Sequence, residues 1–134
     1  MKKHKFSCER GGLTIRGNLF QPEGENLPIA ILSHGFMANQ STMKGYAQAA
    51  AELGFAAFTY DFCGGCLWGR SDGKTTDMSV LTEVEDLKAV IAYASSLSFT
   101  DESRIVLIGA SQGGFVSALT AAQMGNKIER LVLF

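Results

Sequence analysis

No run of apolar residues in this chain is long enough to span a bilayer, so no membrane partner is expected. The amino terminus, Met1-Lys2-Lys3-His4-Lys5, is basic like the start of a signal peptide, but Phe6-Ser7-Cys8-Glu9-Arg10 supplies no apolar stretch behind it. Surplus charge is also lacking. Twelve Lys and Arg against 13 Asp and Glu leave a net charge of −1, dispersed along the chain, which gives no electrostatic footprint for nucleic acid. Cysteine is scarce, and an odd count of three gives no disulfide framework, which points to a reducing, cytoplasmic location. Cys63-Gly64-Gly65-Cys66 is a C-x-x-C, but Cys8, His4 and His34 form no second ligand pair at metal spacing. No metal is expected, and the C-x-x-C is read as loop structure.

What is present is a 134-residue chain, 46% hydrophobic, enough for one globular domain with a core. Four short apolar runs, 29–32, 55–58, 105–108 and 131–134, show no polar alternation, as strands buried on both faces should look. Helical spacing separates them. Met43, Tyr46, Ala47, Ala50 and Leu53 form one stripe, Val80, Val84, Leu87, Ile91 and Ala94 a second, and Phe115, Ala118, Leu119 and Ala122 a third. In the second helix Ser79 or Asp77 is the candidate cap, and Glu83, Glu85, Asp86 and Lys88 are read as a solvated face. Ahead of these, segments 5–9 and 13–20 read as an antiparallel hairpin around Arg10-Gly11-Gly12. Buried strands alternating with helices predict an α/β fold, a mostly parallel sheet in three layers behind that hairpin.

Chemistry enters at Gly109-Ala110-Ser111-Gln112-Gly113, which follows Ile105-Val106-Leu107-Ile108 directly and opens an alanine-rich helical stretch. A strand-to-helix turn that presents a nucleophilic serine is strained and needs small residues two before and two after it. Gly109 and Gly113 meet that demand, and Gly114 lets the helix start close to the sheet. A dinucleotide-binding turn would need a second glycine where Ser111 stands and an acid at the end of the next strand, whereas Glu129 precedes that strand; no cofactor is expected. Ser33-His34-Gly35-Phe36 ends the first buried strand, at the sheet edge where open α/β folds place their ligands.

The hairpin, the His-Gly-Phe loop and the serine elbow, in this order, resemble the α/β-hydrolase family over all 134 residues. The segments Asp61-Phe62-Cys63-Gly64-Gly65, Ser71-Asp72-Gly73-Lys74 and 78–87 are similar to the bacterial branch of cinnamoyl and feruloyl esterases. The resemblance implies that Ser111 attacks an ester carbonyl and that the backbone N–H groups of Phe36 and Gln112 hold the oxyanion. An N–H at the start of a helix has no intrahelical partner and sits at the positive end of the dipole, which suits Gln112 to that task. In the family the histidine follows the serine, so His34 is read as shaping the oxyanion loop, and Asp61 and Asp72 as ordering the loop after the second buried strand. Phe36 and Trp68 could line an aromatic acyl pocket, or serve their own loops.

The triad acid and histidine are expected in a carboxy-terminal part, so residues 1–134 are read as the amino-terminal part of a single α/β-hydrolase domain, truncated after the strand that follows the nucleophile helix. Leu131–Phe134 would then be an open apolar edge, to be covered by the missing half or by a second copy. The expected activity is hydrolysis of a small-molecule carboxylic ester through an acyl-enzyme. Peptidase, thioesterase and acyltransferase chemistry share the same machinery, and a catalytically silent association module is the alternative outside enzymology.

Overall fold

The computed structural model describes residues 1–65 and 69–134. Strands β1 (Lys2–Arg10) and β2 (Leu13–Gln21) pair antiparallel from Lys2↔Gln21 to Arg10↔Leu13. Two residues turn the hairpin, Gly11 at φ 55° and Gly12 at φ 82°, which suits a tight turn that needs positive φ twice.

The rest of the sheet comprises β3 (Leu27–Ser33), β4 (Ala56–Tyr60), β5 (Thr100–Gly109) and β6 (Arg130–Leu133), in the spatial order β1-β2-β4-β3-β5-β6. Strand β4 joins β2 antiparallel, whereas the β4-β3, β3-β5 and β5-β6 pairs are parallel. The result is the mostly parallel sheet with an antiparallel amino-terminal hairpin that the apolar runs predict. Every residue of β4 is buried, and in β3 all but Pro28, because helices cover both faces. Ile29, Ile31, Phe58 and Ile105 pack with α2 (Val80–Ser95) and with Val116 of α3 (Gln112–Met124). Ala30, Leu32, Ala57 and Phe20 pack with Ala47, Ala50 and Ala51 of α1 (Lys44–Glu52).

Ser79 caps α2: its hydroxyl accepts from the Thr82 N–H at 3.2 Å, and the Thr82 hydroxyl accepts from the Ser79 N–H at 2.9 Å. Two helix faces differ from the sequence reading. On α2 only Glu85 points to solvent among the three acids, while Glu83 and Asp86 are buried, 1% and 0% exposed. On α3 the buried face runs through Gly113, Val116, Ser117 and Thr120, and Phe115 is exposed. Close approach of α3 to β3 and β5 at Gly113 and Gly114 turns the helix so that Val116 is buried and Phe115 is not.

The carboxyl ends of three strands coincide, with Ser33 beside Gly109 and Gly109 beside Leu133. Strand β6 lies at the sheet edge with Leu131, Val132, Leu133 and the following Phe134 exposed. Among the described residues no helix is long and apolar enough to cross a membrane.

Candidate active site

Ser111 forms the corner between β5 and α3, with φ 53° and ψ −120°, a backbone conformation that costs a non-glycine residue about 1–3 kcal/mol. Hydrogen bonds on both sides hold it there. The Ala110 N–H donates to the Ser33 carbonyl at 3.2 Å and the Ser111 N–H to the Phe134 carbonyl at 3.1 Å. The Ser111 carbonyl in turn accepts from the N–H groups of Gly114 (2.9 Å) and Phe115 (3.2 Å). Its side chain is exposed and does not cap α3, so the hydroxyl faces outward from the end of the sheet.

The flanking glycines are required by contact. A β-carbon on Gly109 would overlap the Gly113 carbonyl, and one on Gly113 would overlap the carbonyls of Ser33 and His34. At Gly114 the nearest atom to an added β-carbon would be the Gly109 oxygen, at 3.1 Å. This is the close packing of helix start on strand end that the spacing of the motif implied.

Gly35 brings the loop after β3 against the corner: a β-carbon there would sit 3.5 Å from both the Ser111 β-carbon and the Ala110 oxygen. The loop then turns, with the Ala38 N–H donating to the Gly35 carbonyl at 3.1 Å and Met37 at φ 57°. Phe36 lies in this turn and is 60% exposed, and Gln112 is the first residue of α3. Neither backbone N–H has a hydrogen-bond acceptor among the described residues. Among the described residues the corner thus carries two backbone donors without an acceptor, one in the loop after β3 and one at the start of α3.

His34 is 1% exposed, and both of its nitrogens are engaged. Nε2 accepts from the Phe62 N–H at 3.1 Å, which only an unprotonated nitrogen can do, so Nδ1 carries the proton and donates to the Gly35 carbonyl at 2.8 Å. Burial lowers its pKa and keeps it neutral. The ring fixes the loop that carries Phe36 and has no nitrogen left to take a proton from Ser111.

The loop after β4 is held by carboxylates. Asp61 accepts from the Gln40 N–H at 2.8 Å, the Gln40 side-chain amide at 3.0 Å and the Arg70 N–H at 2.9 Å. Asp72 accepts from the Thr14 N–H at 3.1 Å and pairs with Arg16 at 2.7 Å, which holds its carboxyl below the usual range. Both tie the loop to neighbouring segments. Cys63 is buried and its thiol is pushed up to about 12, chiefly by burial, so it is inert near neutral pH. Cys66 and Trp68 lie outside the described residues. Among the described residues no three His, Cys, Asp or Glu side chains gather as metal ligands.

A polar cluster behind the corner escaped the sequence reading. Asp86 accepts from Arg10 at 2.7 Å and from the Cys63 N–H at 2.9 Å; the Ser33 hydroxyl and Tyr60 hydroxyl lie 2.7 Å apart; and Glu83 accepts from the Gln112 side-chain amide at 2.8 Å. Burial pushes the Glu83 carboxyl up to about 7. The available signal was helical arithmetic: Glu83 stands one turn before Leu87 and Asp86 one turn before Val90, and both of those residues are buried.

The family described as Hydrolase_4: Serine aminopeptidase, S33, matches residues 24–134. An uncharacterized 31.7 kDa protein in the traX-finO intergenic region of Escherichia coli is 37% identical over 122 residues, covering 90% of this chain and 40% of its own. A monoacylglycerol lipase of Mycolicibacterium smegmatis is 28% identical over 125 residues, covering 92% of this chain and 43% of the lipase. Est1E from Butyrivibrio proteoclasticus, solved with ferulic acid bound, superposes with a TM-score of 0.86 at 28% identity, over 94% of this chain and 50% of that one. The chain thus spans half or less of the length of each of these relatives.

Proposed function

The chain belongs to the Hydrolase_4 family, the serine aminopeptidase S33 group of α/β hydrolases, and from that premise we propose that it is a serine hydrolase acting on carboxylic esters through Ser111. The observation that carries the reading is the backbone of Ser111, a non-glycine residue held at φ 53° with its side chain free at the end of the sheet. Strain of this kind persists only where surrounding contacts enforce it, and here glycine packing and hydrogen bonds to β3 and Phe134 do so.

In the proposed reaction the Ser111 hydroxyl oxygen attacks the ester carbonyl carbon while its proton passes to a base. The carbonyl oxygen becomes an oxyanion, and the unpaired N–H groups of Phe36 and Gln112 are the donors that meet it; each such donor is typically worth about 10²–10³ in rate. Collapse expels the alcohol, which takes up the proton. Water then attacks the acyl-serine by the same route in reverse, and the acid leaves.

A serine hydroxyl needs an adjacent base. His34 is consumed by its two hydrogen bonds, and His4 is on the outer hairpin strand β1. The histidine and its carboxylate partner are therefore proposed to come from residues other than these 134. The exposed side chains of Leu131–Phe134 are where the remainder of the domain, or a second copy, would pack. A cytoplasmic location belongs to the same proposal, supported by the free thiols of Cys8 and Cys63.

The exposed Phe36 beside Gly35 supplies an apolar surface for an acyl group. Hydroxycinnamoyl and butyryl esters, with an amino-acid anilide beside them, separate aromatic esterase, aliphatic esterase and aminopeptidase activity. The primary test is fluorophosphonate labelling of the protein at its full natural length. Labelling is expected in the wild type and lost in Ser111→Ala; no labelling of the wild type, or labelling that survives the substitution, overturns the assignment.

A further inference from the structure

Gln112 enters the reaction above through its backbone N–H alone, yet its side chain is engaged as well. Nε2 donates at 2.8 Å to Oε1 of Glu83, which lies in the first turn of α2 and is 1% exposed. A buried carboxylate is normally matched by a cation, because desolvation penalises its charge. Arg10 is taken by Asp86, and the only hydrogen-bond donor to the Glu83 side chain among the described residues is the neutral Gln112 amide. The charged or titratable groups that bear on Glu83 are Asp86 on its own helix and the buried Tyr60 of β4, and neither can neutralise it. For stability alone, an apolar side chain would serve better at this position.

The element that carries Glu83 is held firmly. Its first turn is closed by the reciprocal Ser79–Thr82 cap, and one turn further on Asp86 is bonded to Arg10 and to the Cys63 N–H. Gln112 follows the strained Ser111 as the first residue of α3, where its N–H has no helical partner. The Glu83–Gln112 bond therefore ties the residue next to Ser111 to this capped turn of α2. An oxyanion donor is worth its full effect only when aimed to within a fraction of an ångström, and a misplacement of about 1 Å can cost about 10²-fold.

We infer that Glu83 is a positioning residue for this hydrolase: its carboxylate, acting through the Gln112 carboxamide, holds the Gln112 backbone N–H toward the oxyanion. The inference rests on the assignment of Ser111 and Gln112 proposed above. It makes the amino-terminal turn of α2 a support of the reacting corner, acting through Gln112.

The test uses the protein at its full natural length with a p-nitrophenyl butyrate substrate. Glu83→Ala is expected to lower kcat about ten- to hundredfold with KM within about twofold, because the oxyanion exists only in the transition state. Gln112→Ala should lose a similar factor, and the double variant no more than the worse single one, since both remove one contact. Glu83→Gln, which keeps an acceptor oxygen, should restore kcat to within about threefold of wild type. Wild-type kcat in Glu83→Ala or Gln112→Ala, multiplied losses in the double variant, a rise in KM with kcat unchanged, or no rescue by Gln would each overturn the inference. If Glu83→Ala does not fold, Gln112→Ala and Glu83→Gln carry the test by the same criteria. Fluorophosphonate labelling of the wild type reports separately on Ser111: absent labelling defeats the esterase reading, whereas normal labelling with undiminished kcat in the variants defeats only the positioning role.

Discussion

A β-carbon at Gly113 would overlap the carbonyl oxygens at the end of β3, so the start of α3 approaches the sheet more closely than any side chain permits. Gly113→Ala is expected to destabilise the protein by about 3 kcal/mol, at the upper end of overpacking costs, because both obstructing atoms are backbone. Gly45 in α1 is the control: an added β-carbon meets nothing within 4 Å, and Gly45→Ala should stabilise by about 0.5–1 kcal/mol. Urea denaturation of the two variants checks the contrast, and equal effects would mean that α3 does not start against β3. This demand was legible in the sequence, because small residues on both sides of a serine between an apolar run and a helix have few other reasons to be there. The state of His34 was not legible. Its neutrality and tautomer follow from the Phe62 N–H and the Gly35 carbonyl, and Phe62 arrives from a different loop.

At the scale of the element, α2 is where sequence reasoning was overruled. The stripe Val80, Val84, Leu87, Ile91 and Ala94 is buried or half-buried as read, but the burial of Val90 widens the covered face toward Glu83 and Asp86. Three acids close together suggest a solvated face because charge is costly to bury. Here Arg10, from the far side of the hairpin turn, and the Cys63 N–H reach Asp86 and offset that cost. Asp86→Ala should therefore cost about 3 kcal/mol, the lower end for breaking a buried pair, since Arg10 remains partly solvated. Glu85→Ala, which removes only an exposed side chain 3.7 Å from Lys88, should change stability by less than about 0.5 kcal/mol. Thermal or chemical denaturation distinguishes them, and similar values would contradict the burial of Asp86. On α3 the stripe read from the sequence is half-buried at Ala118 and Leu119 and exposed at Phe115 and Ala122, whereas the buried face runs through Gly113, Gly114, Val116, Ser117 and Thr120.

For the molecule as a whole, buried acids leave a mark on the dependence of stability on pH. Glu83 titrates near 7 in the folded chain against an ordinary value of 4.5, so between those values the native state binds a proton that the unfolded state has released. Stability from this group is complete below about 4.5 and is lost as pH rises through about 7. Burial raises Asp86 in the same direction, while half-buried Asp72, held low by Arg16, acts in the opposite sense at acid pH. Comparing wild type with Glu83→Gln removes the other groups from the difference. The variant should gain on the wild type by up to about 2 kcal/mol between pH 5 and pH 8, at about 1.4 kcal/mol per pKa unit and discounted for residual solvation. A difference that stays flat across that range would mean that Glu83 is ionised throughout.

The class of fold and the position of the corner are written locally along the chain. Short apolar runs set between helical stripes mark the strands of a parallel sheet, and glycine spacing around Ser111 can be read without knowing any neighbour. Both are local demands, expressed within a few residues of the chain. The tertiary structure alone decided the strand order β1-β2-β4-β3-β5-β6, and with it the register that sets Ser33 beside Gly109 and brings the Phe36 loop against Ser111. It also decided that Glu83 lies under Gln112, residues 29 positions apart. No local pattern encodes such a meeting, because it depends on how far each helix stands from the sheet, and that distance is set by the side chains of every layer together.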